Sequence, residues 1–183
     1  MLSSRVTRVL LAVGAAVGLA ATGGGTAAAA HDASSDIPNP GPGYRLLSAY
    51  RVTTGVQIYT CTAAGTWSTS STPEAQLRRY GRPGTIHHYA GPRWTSNRDG
   101  STIVGVVDTR VPKDGTIPWL LLHVSAHENS APGKELNDVA FVSRIHTSGG
   151  VGPTGACTPG TDADRPVPYH ADYLFWVPCP IKD

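Results

Sequence analysis

From Tyr44 onward, apolar and polar residues alternate in short runs with a period of two, the spacing of a half-buried β-strand. Gly55-Val-Gln-Ile-Tyr-Thr-Cys61 places Val56, Ile58 and Thr60 on one face and Gln57, Tyr59 and Cys61 on the other. Thr62-Ala-Ala-Gly65 then turns the chain into Thr66-Trp67, which predicts a hairpin. Strands are expected over 85–90 and 93–96, separated by the Gly91-Pro92 corner. Asn97-Arg-Asp-Gly100 predicts a type I turn with glycine in the left-handed position, so 101–107 returns as the second arm. Val111-Pro-Lys-Asp-Gly115 repeats that chemistry before a strand over 117–124, and further strands are read over 138–147 and 166–177. One segment reads as helix. In Ser71-Thr-Pro-Glu-Ala-Gln-Leu-Arg-Arg-Tyr80, Thr72 can cap, Pro73 suits the first helical position, and Gly81 would stop the helix. The predicted class is all-β: an antiparallel sandwich or partly closed barrel of roughly eight strands, with one short helix and long Gly/Pro-rich loops.

The N-terminal segment breaks this pattern. Arg5 and Arg8 precede an apolar run rich in Gly and Ala, and small residues end it, so 1–30 is read as a secretory signal peptide. Val13-Gly-Ala-Ala-Val-Gly18 carries glycines but lacks the strand before and helix after that a dinucleotide site needs. Residues 31–43 are polar and rich in Pro and Gly, and are expected to form a flexible leader to a single β domain over 44–183. The chain's net charge of +2 is accounted for by Arg5 and Arg8, leaving acids and bases balanced beyond residue 30. That balance argues against nucleic acid or an anionic membrane surface as partner, since both need a surplus of positive charge. The local cluster of Arg78, Arg79 and Arg82 reads as a solvated loop.

An exported chain meets an oxidising compartment, where two of Cys61, Cys157 and Cys179 are expected to pair. Spacing alone leaves the choice open. Metal chemistry finds little support: no C-x-x-C or H-E-x-x-H is present, and strand geometry sends His87 and His88 to opposite faces. His123 and His127 are four apart, but 125–132 reads as loop and not as helix. No G-x-S-x-G elbow appears. Glu74, Asp99, Asp108 and Glu135 are candidates for a carboxylate pair by residue type alone. No metal or cofactor is predicted.

Six blocks carry a resemblance: Gly55-Val-Gln-Ile-Tyr-Thr-Cys61, His88-Tyr-Ala-Gly-Pro-Arg-Trp94, Asp99-Gly-Ser101, Ile117-Pro-Trp-Leu-Leu-Leu122, Thr147-Ser-Gly-Gly150 and Val167-Pro-Tyr-His-Ala-Asp-Tyr173. In that order they resemble the secreted family called domain of unknown function 3455, which has no established activity. The residues matching its pattern include Gln57, Tyr59, Cys61, His88, Trp94, Trp119, Arg144, Cys157, Tyr169 and Tyr173. The resemblance implies a Cys61–Cys157 bridge, since Cys179 lies beyond the pattern.

Together these readings predict a secreted ligand-binding or structural module at or outside the cell envelope, with a glycan or cell-wall polymer as the candidate partner. The candidate binding patch is Gln57, Tyr59, His88, Trp94 and Arg144, where aromatic rings near turns can stack on a ligand. Trp67 and Tyr89 are further candidates for stacking, whereas Trp119, between Pro118 and a leucine run, is expected in the core. The alternative is a secreted enzyme, hydrolase-like or metal-assisted. A minor alternative is a barrel holding a small ligand, echoed by Gly65-Thr-Trp67, which resembles the G-x-W of lipocalin barrels.

Overall fold

A computed structural model describes residues 37–180. The signal peptide read at 1–30 and the first part of the leader lie outside the described residues. The strands are β1 (Tyr44–Tyr59), β2 (Thr72–Arg79), β3 (Thr85–Tyr89), β4 (Arg93–Ser96), β5 (Thr102–Val111), β6 (Trp119–Glu128), β7 (Phe141–Gly149) and β8 (Arg165–Pro178). Each pairs antiparallel with the next, and β8 returns to β1, so the sheet closes into an up-and-down barrel. Of the two architectures the alternation allowed, closure selects the barrel, which leaves no exposed sheet edge.

The predicted helix is a strand. In β2 the buried residues are Ala75 and Leu77, while Glu74, Gln76 and Arg78 face solvent, which is period two. The Thr-Pro-Glu start is favourable helix chemistry, but it is local. Ladders to β1 on one side and β3 on the other satisfy the backbone of this segment and outweigh that preference. Gly81, expected to stop a helix, instead takes φ 70° in the β2–β3 turn.

β1 is long and changes phase within its length. Tyr50 and Val52 point inward, then a register shift between Val52 and Thr54 brings Gln57 and Tyr59 to the interior. The wall bends at this bulge. Gly55 permits it, because a Cβ there would meet Val52 Cγ1 at 2.7 Å and Tyr169 Cε1 at 2.9 Å.

The leader was expected to be loose, yet its 37–43 portion is seated on the barrel. Pro38 is buried, and its carbonyl accepts a hydrogen bond from Ser143 Oγ, which in turn accepts from Trp176 Nε1. Proline-fixed backbone that finds a buried donor gains order that composition alone does not reveal.

The two ends of the barrel differ. One end is closed by the β6–β7 connection, whose Leu136 and Val139 are fully buried in the core with Tyr50, Ile86 and Phe175. Glu135 anchors this plug: Tyr50 Oη donates to it at 2.6 Å, Ser96 Oγ donates to its other oxygen, and Arg79 Nη1 lies 3.5 Å away. Burial, together with the bond to Glu135 and its charge, pushes the Tyr50 phenol above its usual range. Asp99 ties the plug to the β4–β5 turn by accepting the Glu135 amide and both the amide and hydroxyl of Ser101. Burial opposes ionisation of Asp99, but these bonds and Arg98 outweigh it and hold the carboxyl below the usual range. At the other end, four connections surround an opening.

Candidate ligand-binding cavity

The open end leads into a cavity of about 500 Å³ that reaches into the barrel. It is built by inward residues of several strands. From β1 come Gln57 and Tyr59, from β3 His88, from β4 Trp94, from β6 Leu120 and Leu122, from β7 Arg144 and from β8 Tyr173. All five residues of the predicted patch line this space. They do so because closure turns one face of each strand toward a common axis, rather than because they share an exposed platform.

The placement of the aromatics corrects the expectations for Trp119, Trp67 and Tyr89. Trp94 is 1% exposed and lies inside. Gly105 on β5 makes room for it, since a Cβ there would sit 2.9 Å from Trp94 Cζ3. Trp119, expected in the core, instead alternates with the inward Leu120 and lies half-buried on the outer face, its ring 3.9 Å from Lys113 Nζ. Trp67 sits in the β1–β2 connection under the Arg165 guanidinium, and Tyr89 stacks on His87 outside the barrel. Neither lines the cavity.

The two adjacent histidines part as strand geometry requires. His87 points outward and pairs with Glu74 Oε1 at 2.6 Å. His88 is 2% exposed, lies parallel to Trp94 with ring centroids 4.4 Å apart, and meets the edge of Tyr173. Its Nδ1–H donates to the Arg93 carbonyl at 2.8 Å. Burial lowers its pKa from 6.5 to about 3; the Arg93 carbonyl opposes this, while Arg144 and His87 add to it. The imidazole is therefore neutral at physiological pH.

Two buried donors on side chains that line this space, Gln57 Nε2 and Trp94 Nε1, have no acceptor in hydrogen-bond geometry among the described residues, although Gln57 lies near enough to the Tyr169 hydroxyl to favour its ionised form. The Gln57 side chain is held by its other end, where Ser71 Oγ donates to Oε1. Arg144 donates from Nε and Nη2 to the Pro118 carbonyl, at 3.2 and 2.9 Å. Among the described residues, none of its guanidinium nitrogens forms an ion pair. Beside it, Tyr173 and Tyr169 share a bond between hydroxyls at 3.2 Å, and burial pushes both phenols upward. Tyr173 was not placed in the site from sequence, although the alternation of Tyr169, Ala171, Tyr173, Phe175 and Val177 marks it as inward. Arg110, at the mouth, was also missed; nothing in its local pattern distinguishes it from other strand-end arginines.

The rim is fastened by sulfur and by main chain. Cys61 and Cys157 are bonded, joining the β1–β2 and β7–β8 connections, and the Cys157 amide donates to the Gly65 carbonyl. Cys179 is free and exposed. Tyr59 Oη donates to the Gly150 carbonyl at 2.7 Å, and Gly152 lies flat on the Tyr59 ring, where a Cβ would approach to 2.8 Å. This accounts physically for the glycine-rich start of the β7–β8 connection.

The candidate carboxylates lie elsewhere. Asp99 and Glu135 belong to the plug, Glu74 pairs with His87, and Asp108 pairs with His123 Nδ1 at 2.6 Å, both pairs exposed. His123 and His127 sit on β6, which continues to Glu128 where loop was expected. His127 bonds the Val139 carbonyl. Among the described residues no cluster of three metal-ligating side chains forms.

No curated protein and no solved structure matches the chain. A family model matches residues 79–177, a span that contains His88, Trp94, Arg144, Cys157 and Tyr173 and begins after Gln57, Tyr59 and Cys61. The chain belongs to the family described as protein of unknown function (DUF3455).

Proposed function

We propose that this protein is a small-ligand-binding barrel that receives its ligand through the open end, and that it works as an exported protein at or outside the cell envelope. The observation that carries the reading is the pair of buried N–H groups without an acceptor in hydrogen-bond geometry among the described residues, Gln57 Nε2 and Trp94 Nε1, on two side chains that line one cavity. Burying such a donor without an acceptor costs about 1–3 kcal/mol each, so a ligand that supplies acceptors recovers that cost on binding. The apolar part of the ligand would lie against Leu120, Leu122 and the Trp94–His88 stack. A cavity of this size falls within the range of small-molecule sites.

An extended glycan fits this shape less well, because a polymer needs an open groove or a passage at both ends, and the plug closes one end. The hydrolase reading has less support than binding, since the residues around the cavity include neither Asp nor Glu. Export is supported by the N-terminal signal pattern and by the Cys61–Cys157 bond, which persists in an oxidising compartment.

Two fluorescent dyes test the reading: neutral N-phenyl-1-naphthylamine and anionic 1-anilinonaphthalene-8-sulfonate. Saturable enhancement with one dye per chain is expected for at least one of them, and Leu120→Trp, which fills the cavity, should abolish it. Enhancement by neither dye, or enhancement unchanged in a folded Leu120→Trp protein, would overturn the proposal.

A further inference from the structure

Resting on that reading, we infer that the cavity selects an anion, and specifically a small monocarboxylate with an apolar body. The charges around the cavity are one-sided. Arg144 lies within and Arg110 at the mouth, with no acidic side chain among the lining residues. Arg144 is the informative one. The residue is half-buried, and its Nε and Nη2 bonds go to a neutral carbonyl, that of Pro118. Among the described residues it has no carboxylate partner, and it also neighbours the neutral Tyr173 hydroxyl, whose ionisation it favours. Where this chain places arginines beside its plug, at Arg79 and Arg98, carboxylates accompany them. A guanidinium withdrawn from water and left without a counter-ion is costly, and a carboxylate is the group whose two oxygens match its fork.

The remaining donors fit the same anion. Gln57 Nε2 and Trp94 Nε1 are two neutral donor nitrogens and make no acceptor demand. Among the described residues Arg144 is the one cation within the cavity, Arg110 at the mouth being exposed to solvent, and one positive charge plus neutral donors balances a single negative charge. A phosphate dianion would call for more cationic partners than Arg144 alone supplies. His88 adds no charge, because its buried ring is neutral and its Nδ1–H is already bonded to Arg93. Leu120, Leu122 and the Trp94 face provide the apolar surface for the body of the acid.

The test uses matched probes on the whole protein: 1-naphthoate against 1-naphthamide, and octanoate against octanamide, by calorimetry. Each pair has nearly the same shape and differs in charge. The acids should bind about tenfold to a hundredfold more tightly than the amides, the range expected for a charge-assisted bond. Arg144→Gln should weaken the acids more than the amides and so remove most of that preference. Arg144→Lys should restore part of it, as a charge without the fork. The acid–amide comparison on the unaltered protein decides the matter even if Arg144→Gln fails to fold. Equal affinity for acid and amide overturns the carboxylate assignment while leaving cavity binding intact. Failure of all four probes while a dye still binds in a Leu120-dependent manner has the same meaning. Failure of probes and dyes together overturns both.

Discussion

Acidification isolates one buried group, His88. In the folded barrel its pKa is lowered to about 3, whereas the unfolded chain returns it to 6.5, so between these values the unfolded state binds a proton that the native state refuses. The stability this neutral imidazole confers is therefore complete above the unfolded pKa and is lost as pH falls toward the folded one. Linkage puts the loss at about 2 kcal/mol near pH 5 and about 3 kcal/mol near pH 4. Equilibrium urea titrations at stepped pH between about 7 and about 4.5 would measure it, alongside His88→Gln, whose amide can still donate toward the Arg93 carbonyl. The substitution will lower stability at every pH through lost stacking on Trp94, but that offset does not depend on pH. The predicted signature is a difference in slope: the parent protein loses stability below about pH 6.5 more steeply than His88→Gln, by about 1 kcal/mol per pH unit. Titration of Asp99 and the other carboxylates is common to both proteins and cancels. Parallel slopes would mean that His88 is protonated in the native barrel, which would refute its burial as a neutral group.

Two further outcomes concern the ends of the barrel. Replacing Cys61 and Cys157 together by alanine opens a loop with a sequence separation of 96, which chain-entropy arithmetic makes a loss of about 4–5 kcal/mol in denaturant titrations; a loss under about 1 kcal/mol would mean the bond does little to restrict the unfolded chain. Glu135→Ala strands the Tyr50 and Ser96 hydroxyls and removes the partner of Arg79, so a cost of about 3–5 kcal/mol is expected, with Glu135→Gln intermediate. Equal costs for the two would show that the charge, rather than bonding capacity, holds the plug.

What the sequence made legible is what local chemistry and periodicity specify jointly. The β4–β5 hairpin came through because Asn97-Arg-Asp-Gly100 and the alternation on either side agree, and Gly100 indeed takes φ 70°. The division of His87 from His88 needed only the strand period. The helix expected over 71–80 failed because its cap signals act within one turn, whereas ladders to the strands on either side hold the segment along its whole length. The burial of Trp94 and the outward placement of Trp119 were not legible locally, for a related reason. Neighbours in sequence, an arginine and a threonine for one, proline and leucines for the other, say less about burial than which face of the strand closure turns inward. The Trp119–Leu122 run hides its own alternation, since Leu121, on the outer face with Trp119, is also largely buried. Barrel closure brings Gln57 on β1 to the same cavity as Arg144 on β7, and nothing in either local stretch encodes that meeting.

The strongest argument that the cavity serves a purpose comes from comparing it with the plug in the same barrel. At the plug, each buried polar side chain is answered: Glu135 by Tyr50, Ser96 and Arg79, and Ser101 by Asp99 and the Leu136 amide. At the open end, among the described residues, the same chain leaves Gln57 Nε2 and Trp94 Nε1 without an acceptor in hydrogen-bond geometry and Arg144 without a counter-ion. If loose packing were the explanation, apolar residues could occupy these inward positions at less cost, as Leu77 and Ile86 do nearer the plug. Retaining three donors where hydrophobic side chains would be more stable is the pattern of a site whose polar groups are completed by something other than the protein. Replacing Gln57 with leucine should then raise the stability of the free barrel while weakening its hold on an acceptor-bearing ligand, and that opposition is what separates a binding site from a packing defect.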